Sequence, residues 1–144
     1  MITSLLWLTF AIVSADDSDR PCLVLITGAS GTEEYSEPFQ QWASRWEGAA
    51  KQSGLEIKRI GSRKDATNDR QQLKATLKQV SLKTTSPLWI VLIGHGTYSN
   101  KQAKFNLHGP DITATELNEW LKPIQRPIAI VNCASASGPF INGL

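Results

Sequence analysis

Cysteine and histidine are scarce. Cys22, Cys133, His95 and His108 are all that the 144 residues contain of either. Two cysteines are too few for a disulfide framework, and no C-x-x-C pair or H-E-x-x-H is present to hold a structural or catalytic zinc. An excess of one charge is lacking as well. Fifteen Lys and Arg oppose 13 Asp and Glu, and no long basic run stands out. The electrostatic footprint of a nucleic-acid binder or of an anionic-membrane binder is therefore absent. Internal repeats and low-complexity linkers are missing too, so one domain is expected, with no boundary other than a leader at its start.

Two fingerprints stop short. Thr27-Gly28-Ala29-Ser30-Gly31 follows an apolar run, as a dinucleotide-binding turn would. The third glycine of G-x-G-x-x-G is missing, however, and Thr32-Glu33-Glu34 sets acids where a pyrophosphate would lie. The stretch reads instead as a glycine-rich turn over the edge of a sheet. Gly94-His95-Gly96 is similar to the oxyanion loop of α/β-hydrolases, yet neither Ser30 nor Ser135 sits in a G-x-S-x-G elbow. No cofactor and no metal is expected.

What is present is a series of apolar runs. Leu5 to Val13 is apolar, and Val13-Ser14-Ala15 offers a cut after Ala15. Residues 1–15 therefore read as a secretory signal and 16–144 as the exported domain, secreted or periplasmic. The run is too short to span a bilayer comfortably, so no stable membrane insertion is expected after cleavage. Cys22 to Thr27 is a first buried strand. Ser36-Glu37-Pro38 opens a helix with Phe39, Trp42, Ala43, Trp46 and Ala50 inward, and Gly54 ends it. Leu55 to Ile60 alternates as an edge strand does, Gly61 to Asp65 is a polar loop, and Asn68 to Leu82 is a second amphipathic helix.

Leu88 to Ile93 is continuously apolar, as a strand buried on both faces should be, and it runs into Gly94-His95-Gly96. A polar loop and a small hairpin near Lys104 to Leu107 follow. Thr113 to Glu116 has capping-box spacing and opens a third helix, with Leu117, Trp120 and Leu121 inward. Pro123 ends it. Arg126 to Cys133 then repeats the pattern of an apolar strand ending on a reactive residue. Strands alternating with helices predict an α/β fold of three layers, a doubly wound and mostly parallel sheet with right-handed crossovers. Trp42, Trp46, Trp89 and Trp120 are expected in the core, and His108 as an exposed turn histidine.

Neighbouring parallel strands lie ~4.8 Å apart. Strands ending at His95 and Cys133 therefore offer a base and a thiol to one substrate at the carboxyl edge, where open α/β sheets place their sites. Singly, each reads as an inert residue; two strand ends with a glycine-flanked histidine favour chemistry. Gly96 and Cys133 are expected to turn their N–H groups into an oxyanion hole. Cys22 begins its strand and Cys133 ends a parallel one, which puts them at opposite edges and out of disulfide range.

The apolar strand, His95-Gly96, the hairpin and helix, the second apolar strand, and Cys133 followed by Ala134, Ser135, Ala136, Ser137 and Gly138 together resemble the caspase-like cysteine peptidases. These are the legumains, caspases, gingipains and separases, and the similarity is greatest to the legumain-like branch. The resemblance implies a cysteine endopeptidase of peptide or protein substrates, with Cys133 as nucleophile and His95 as general base and acid. It also implies further strands after Cys133, so residues 16–144 are expected to be the N-terminal portion of such a domain. The alternative is a non-catalytic binding or scaffold domain on the same fold.

Overall fold

A computed structural model describes residues 19–62, 67–80 and 84–144. The expected signal at residues 1–15, part of the loop after Gly61 and the last residues of the second helix lie outside them. The chain runs β1 (Cys22–Thr27), α1 (Glu33–Gln52), β2 (Glu56–Ile60), α2 (Asp69–Val80), β3 (Leu88–Ile93), β4 (Gly96–Ser99), β5 (Gln102–Phe105), β6 (Ile112–Thr113), α3 (Ala114–Leu121), β7 (Ile128–Asn132) and α4 (Ser137–Ile141).

The apolar runs pair as a four-stranded sheet of order β2-β1-β3-β7, and every pairing in it is parallel. Alternation along the strands divides the core. Val24, Ile26, Ile90 and Leu92 pack with Leu73, Leu77, Leu117 and Leu121 of α2 and α3. Leu23, Leu25, Val91 and Ile93 pack on the other face with Phe39, Ala43 and Ala50 of α1. The protein is thus an α/β fold with a mostly parallel sheet and helices on both faces. From β1 the chain goes outward to β2, then returns across β1 to β3 and β7. The order therefore reverses between β1 and β3, whose ladder stays paired to its carboxyl end, Thr27 opposite Ile93 and the Gly28 N–H donating to the Ile93 carbonyl at 2.8 Å.

Three expectations need correction. The first helix starts at Glu33 and not at Ser36, so Pro38 lies inside it. Glu33 and Glu34 in the first turn suit the positive end of the helix dipole and account for the earlier start. Trp42 is 43% exposed, because α1 buries Phe39, Ala43 and Ala50 and turns Trp42 past the packed part of the sheet. Trp46, Trp89 and Trp120 are half-buried. The polar loop after Gly96 is strand β4. It pairs antiparallel with β5, which also pairs with β6. Asn100 and Lys101 join β4 to β5 at φ 50° and 60°, the twist a two-residue hairpin needs. The expected edge strand and capping box are both present. β2 is an edge, and the Thr113 hydroxyl accepts from the Glu116 N–H at 3.1 Å while a Glu116 carboxylate oxygen accepts from the Thr113 N–H at 3.0 Å.

Candidate functional site

β3 pairs with β7 through Leu92 opposite Asn132, and the Cys133 N–H donates to the Leu92 carbonyl at 2.9 Å. The ladder thus extends one residue past the strand and sets Cys133 beside Ile93. Alternation turns Cys133, like Val131, toward the α1 face. There it lines a cleft of about 450 Å³ with Ile93, Trp42, Arg45 and Trp46. The Asn132 carboxamide oxygen accepts from the Ala134 N–H at 2.9 Å and fixes the turn that follows.

His95 is one of two residues joining β3 to β4. Its ring stands edge-on to Tyr35 at 4.6 Å and to Phe39 at 5.1 Å, both on α1. Its Nε2 lies 3.1 Å from the Ser30 carbonyl oxygen. A carbonyl accepts and never donates, so Nε2 carries the hydrogen, and in the neutral ring Nδ1 is left as the basic atom. The backbone around it is cross-braced. Asn106 donates its N–H to the His95 carbonyl at 3.0 Å and accepts from the Ala29 N–H at 3.1 Å. The Thr97 hydroxyl donates to the Asn106 side-chain oxygen at 2.7 Å. Gly28 permits this approach, since a Cβ there would lie 2.3 Å from the Asn106 carbonyl oxygen.

The structure therefore brings His95 and Cys133 to one edge of the sheet and along successive turns of α1. Among the described residues no hydrogen bond joins them. Burial pushes the Cys133 thiol above its usual range, so at neutral pH the resting group is a thiol.

The expected oxyanion hole is corrected in one donor. The Cys133 N–H belongs to the Leu92 carbonyl and is not free. Gly96 differs from Cys133 in the direction of its N–H. The Asn106 N–H already donates to the His95 carbonyl, so alternation along the antiparallel ladder turns the Gly96 N–H away from β5. The lack of a Gly96 side chain makes room for the Ser135 carbonyl, which a Cβ would approach to 1.9 Å.

Both cysteines are free, Cys22 buried and Cys133 exposed. Cys22 is in register with Leu88, at the far end of β3 from Ile93. Five residues of strand set the two ends apart by roughly 16 Å, well beyond disulfide reach. Burial, reinforced by the Glu56 charge, pushes the Cys22 thiol up to about 11.

One polar pair was not foreseen. His108 is not an exposed turn histidine. Its Nδ1 lies 2.9 Å from Oδ2 of Asp69, and their side chains are 17% and 1% exposed. Asp69 Oδ1 has no partner among the described residues. Gly61 and Gly109 close around this pair at φ 78° and 94°, Gly61 against the Thr27 carbonyl and Gly109 against the Thr67 carbonyl. Asp69 opens α2 while His108 follows β5, and no spacing in the sequence links them. Two loop glycines that side chains cannot replace were the available signal.

Among the described residues, no group of three or more His, Cys, Asp or Glu is placed to hold a metal ion. No described helix is long and apolar enough to cross a membrane. Comparison with protein-family models, with curated proteins and with solved structures finds no match to the chain.

Proposed function

We propose that the chain is a caspase-like cysteine endopeptidase domain in which Cys133 attacks the peptide carbonyl and His95 moves the protons. The observation that carries this reading is the β3–β7 register, which puts the Cys133 thiol at the carboxyl edge where β3 ends and runs into His95, beside the cleft under α1. In the reaction the Cys133 Sγ–H gives its proton to His95 Nδ1 as sulfur bonds to the carbonyl carbon. The carbonyl oxygen takes the electron pair and meets the Gly96 N–H. Collapse breaks the C–N bond, and the leaving nitrogen takes the proton back from His95. Water then adds to the thioester through the same base, which releases the acid and restores the thiol. The Ser30 carbonyl supports this role by fixing the tautomer of His95. With the apolar leader, the reading makes the domain an exported one.

The second reading, a non-catalytic domain on the same fold, is favoured by the raised Cys133 thiol. Thiol reactivity separates the two. A peptide electrophile should label Cys133, and His95→Ala should slow that labelling by about 10²-fold or more, the usual share of a general base. Labelling no faster than that of a free thiol, and unchanged in His95→Ala, decides for the binding domain.

A further inference from the structure

We infer that the cleft beside Cys133 receives a large aromatic side chain of the substrate, on the residue that carries the scissile carbonyl, with an acidic residue next to it held by Arg45. This rests on the reading of Cys133 as nucleophile and adds the substrate class to it. Trp42, Arg45 and Trp46 stand at i, i+3 and i+4 on α1, so their side chains share one face of the helix. Trp46 packs at the margin of the core that Phe39, Ala43 and Ala50 form, and Trp42 and Arg45 lie exposed beyond it. Trp42 remains 43% exposed, while Ile93 at the same cleft is fully buried. The cleft therefore has an apolar floor, two indole walls and a thiol at its side. At about 450 Å³ it is within the size range of ligand sites and exceeds one aromatic side chain. Indole faces stack on aromatic rings in offset or edge-on geometry, which favours Phe, Tyr or Trp over a branched aliphatic residue.

Arg45 supplies the sign of the neighbouring charge. Among the described residues its guanidinium makes no ion pair or hydrogen bond, whereas Arg59, Arg70 and Arg126 are all engaged. A guanidinium fork matches a carboxylate. The same cation repels a Lys or Arg side chain entering the cleft.

Two other cavities lack this combination. The one lined by Thr27, Gly28, Ser30 and His108 holds about 20 Å³, room for roughly one water. The one between Trp46 and Trp89 is apolar and about 300 Å³ but carries no nucleophile.

The test uses peptidyl acyloxymethyl ketones that carry Phe, Asp or Lys at the reacting residue. Each is made with Glu or Lys beside it, and the Cys133 adduct is followed by mass spectrometry. The Phe probe flanked by Glu should label roughly tenfold faster than the Lys probe. Trp42→Ala should erase that preference and Trp42→Phe should keep it, while iodoacetamide labels all three proteins at rates within about twofold. Arg45→Glu should invert the preference between flanking Glu and flanking Lys. Labelling of Cys133 at equal rates by the Phe, Asp and Lys probes overturns the pocket and leaves the thiol reading standing. If no peptide probe labels Cys133 faster than iodoacetamide does, the peptidase reading falls, and the pocket with it.

Discussion

At the amino end of the parallel sheet, charged side chains bind the backbone. Arg126, 8% exposed, donates to the carbonyls of Ser86, Arg20 and Pro87 at 2.7, 2.8 and 3.1 Å. Asp19 accepts from the Thr84 hydroxyl, from Thr85 at 3.2 Å and from the Ser86 N–H at 3.1 Å. At the carboxyl end glycines let backbone pack on backbone, with the shorter side chains of Thr97, Asn106, Asn132, His108 and Asp69 tying the loops around it. Gly28 packs on Asn106, Gly61 on Thr27 and Gly96 on Ser135. The difference has a physical consequence. An end tied by long, fully engaged side chains has none left over for chemistry. An end tied by backbone and shorter side chains leaves the His95 imidazole and the Cys133 thiol available to a ligand. Stability and reactivity should therefore separate along the strands, and each experiment below tries to make them fail to separate.

The largest effect on folding is expected from Arg126→Met. It removes a nearly buried charge with three backbone partners and leaves the Ser86 and Arg20 carbonyls without this donor. Hydrogen bonds to charged groups contribute about 1.5–3 kcal/mol net each, and methionine is spared the cost of burying a charge, so a loss of roughly 2–4 kcal/mol is expected. A lowered urea midpoint at unchanged slope would report it. The rate of Cys133 labelling per folded molecule should stay within about twofold. A fall in labelling as large as the fall in stability would break the comparison, because the amino end would then govern the site.

Gly96→Ala attacks the other end. A Cβ there would meet the Ser135 carbonyl oxygen at 1.9 Å and the Lys104 carbonyl at 3.2 Å, and both are backbone. The turn that follows Cys133 has to move. Overpacking of this kind costs about 1–3 kcal/mol. Peptide-probe labelling of Cys133 should drop roughly tenfold as well, while iodoacetamide, which needs no positioned carbonyl, changes little. Equal losses for both reagents would mean that the substitution only loosens the fold, and the assignment of Gly96 to the substrate carbonyl would fail.

The same contrast explains how much of the molecule was legible in its sequence. Strands β1 and β3 announce themselves as apolar runs because a central parallel strand is buried on both faces, and β7 is equally apolar although it is a half-buried edge. His95 and Cys133 follow from where those runs stop. The Thr113 capping box was readable because its partners are three residues apart. Illegible were the pairs joined across space. His108 and Asp69 come from separate elements, and so do Arg126 and its carbonyls, and only the folded chain selects them. β4 was missed because Gly96-Thr97-Tyr98-Ser99 has no apolar alternation, its last three residues being exposed. Its pairing comes from the hairpin turn at Asn100 and Lys101. Trp42 was misplaced because a period of 3.6 marks a stripe wider than the one the sheet covers. The residue on that margin is the one now offered to a ligand.

The smallest effect is the pH response of Asp19, and it sharpens the account of the amino end. Hydrogen bonds from Thr84 and from the Ser86 backbone hold its carboxyl down at about 2, against an ordinary value of 3.8. A carboxyl with a lowered folded-state pKa binds fewer protons in the folded than in the unfolded chain. Its contribution is therefore complete above about pH 4 and is lost as pH falls toward 2. Asp19→Asn removes this dependence. The difference in urea midpoint between the two proteins should be constant from pH 7 to 5, narrow below pH 4 and close near pH 2. The carboxyl is fully exposed, so the gap itself should be small. A gap that stays flat down to pH 2 would show that Asp19 is not held to the Thr84–Ser86 turn. Of the two charged groups named here, Arg126 would then be the one that ties the amino end.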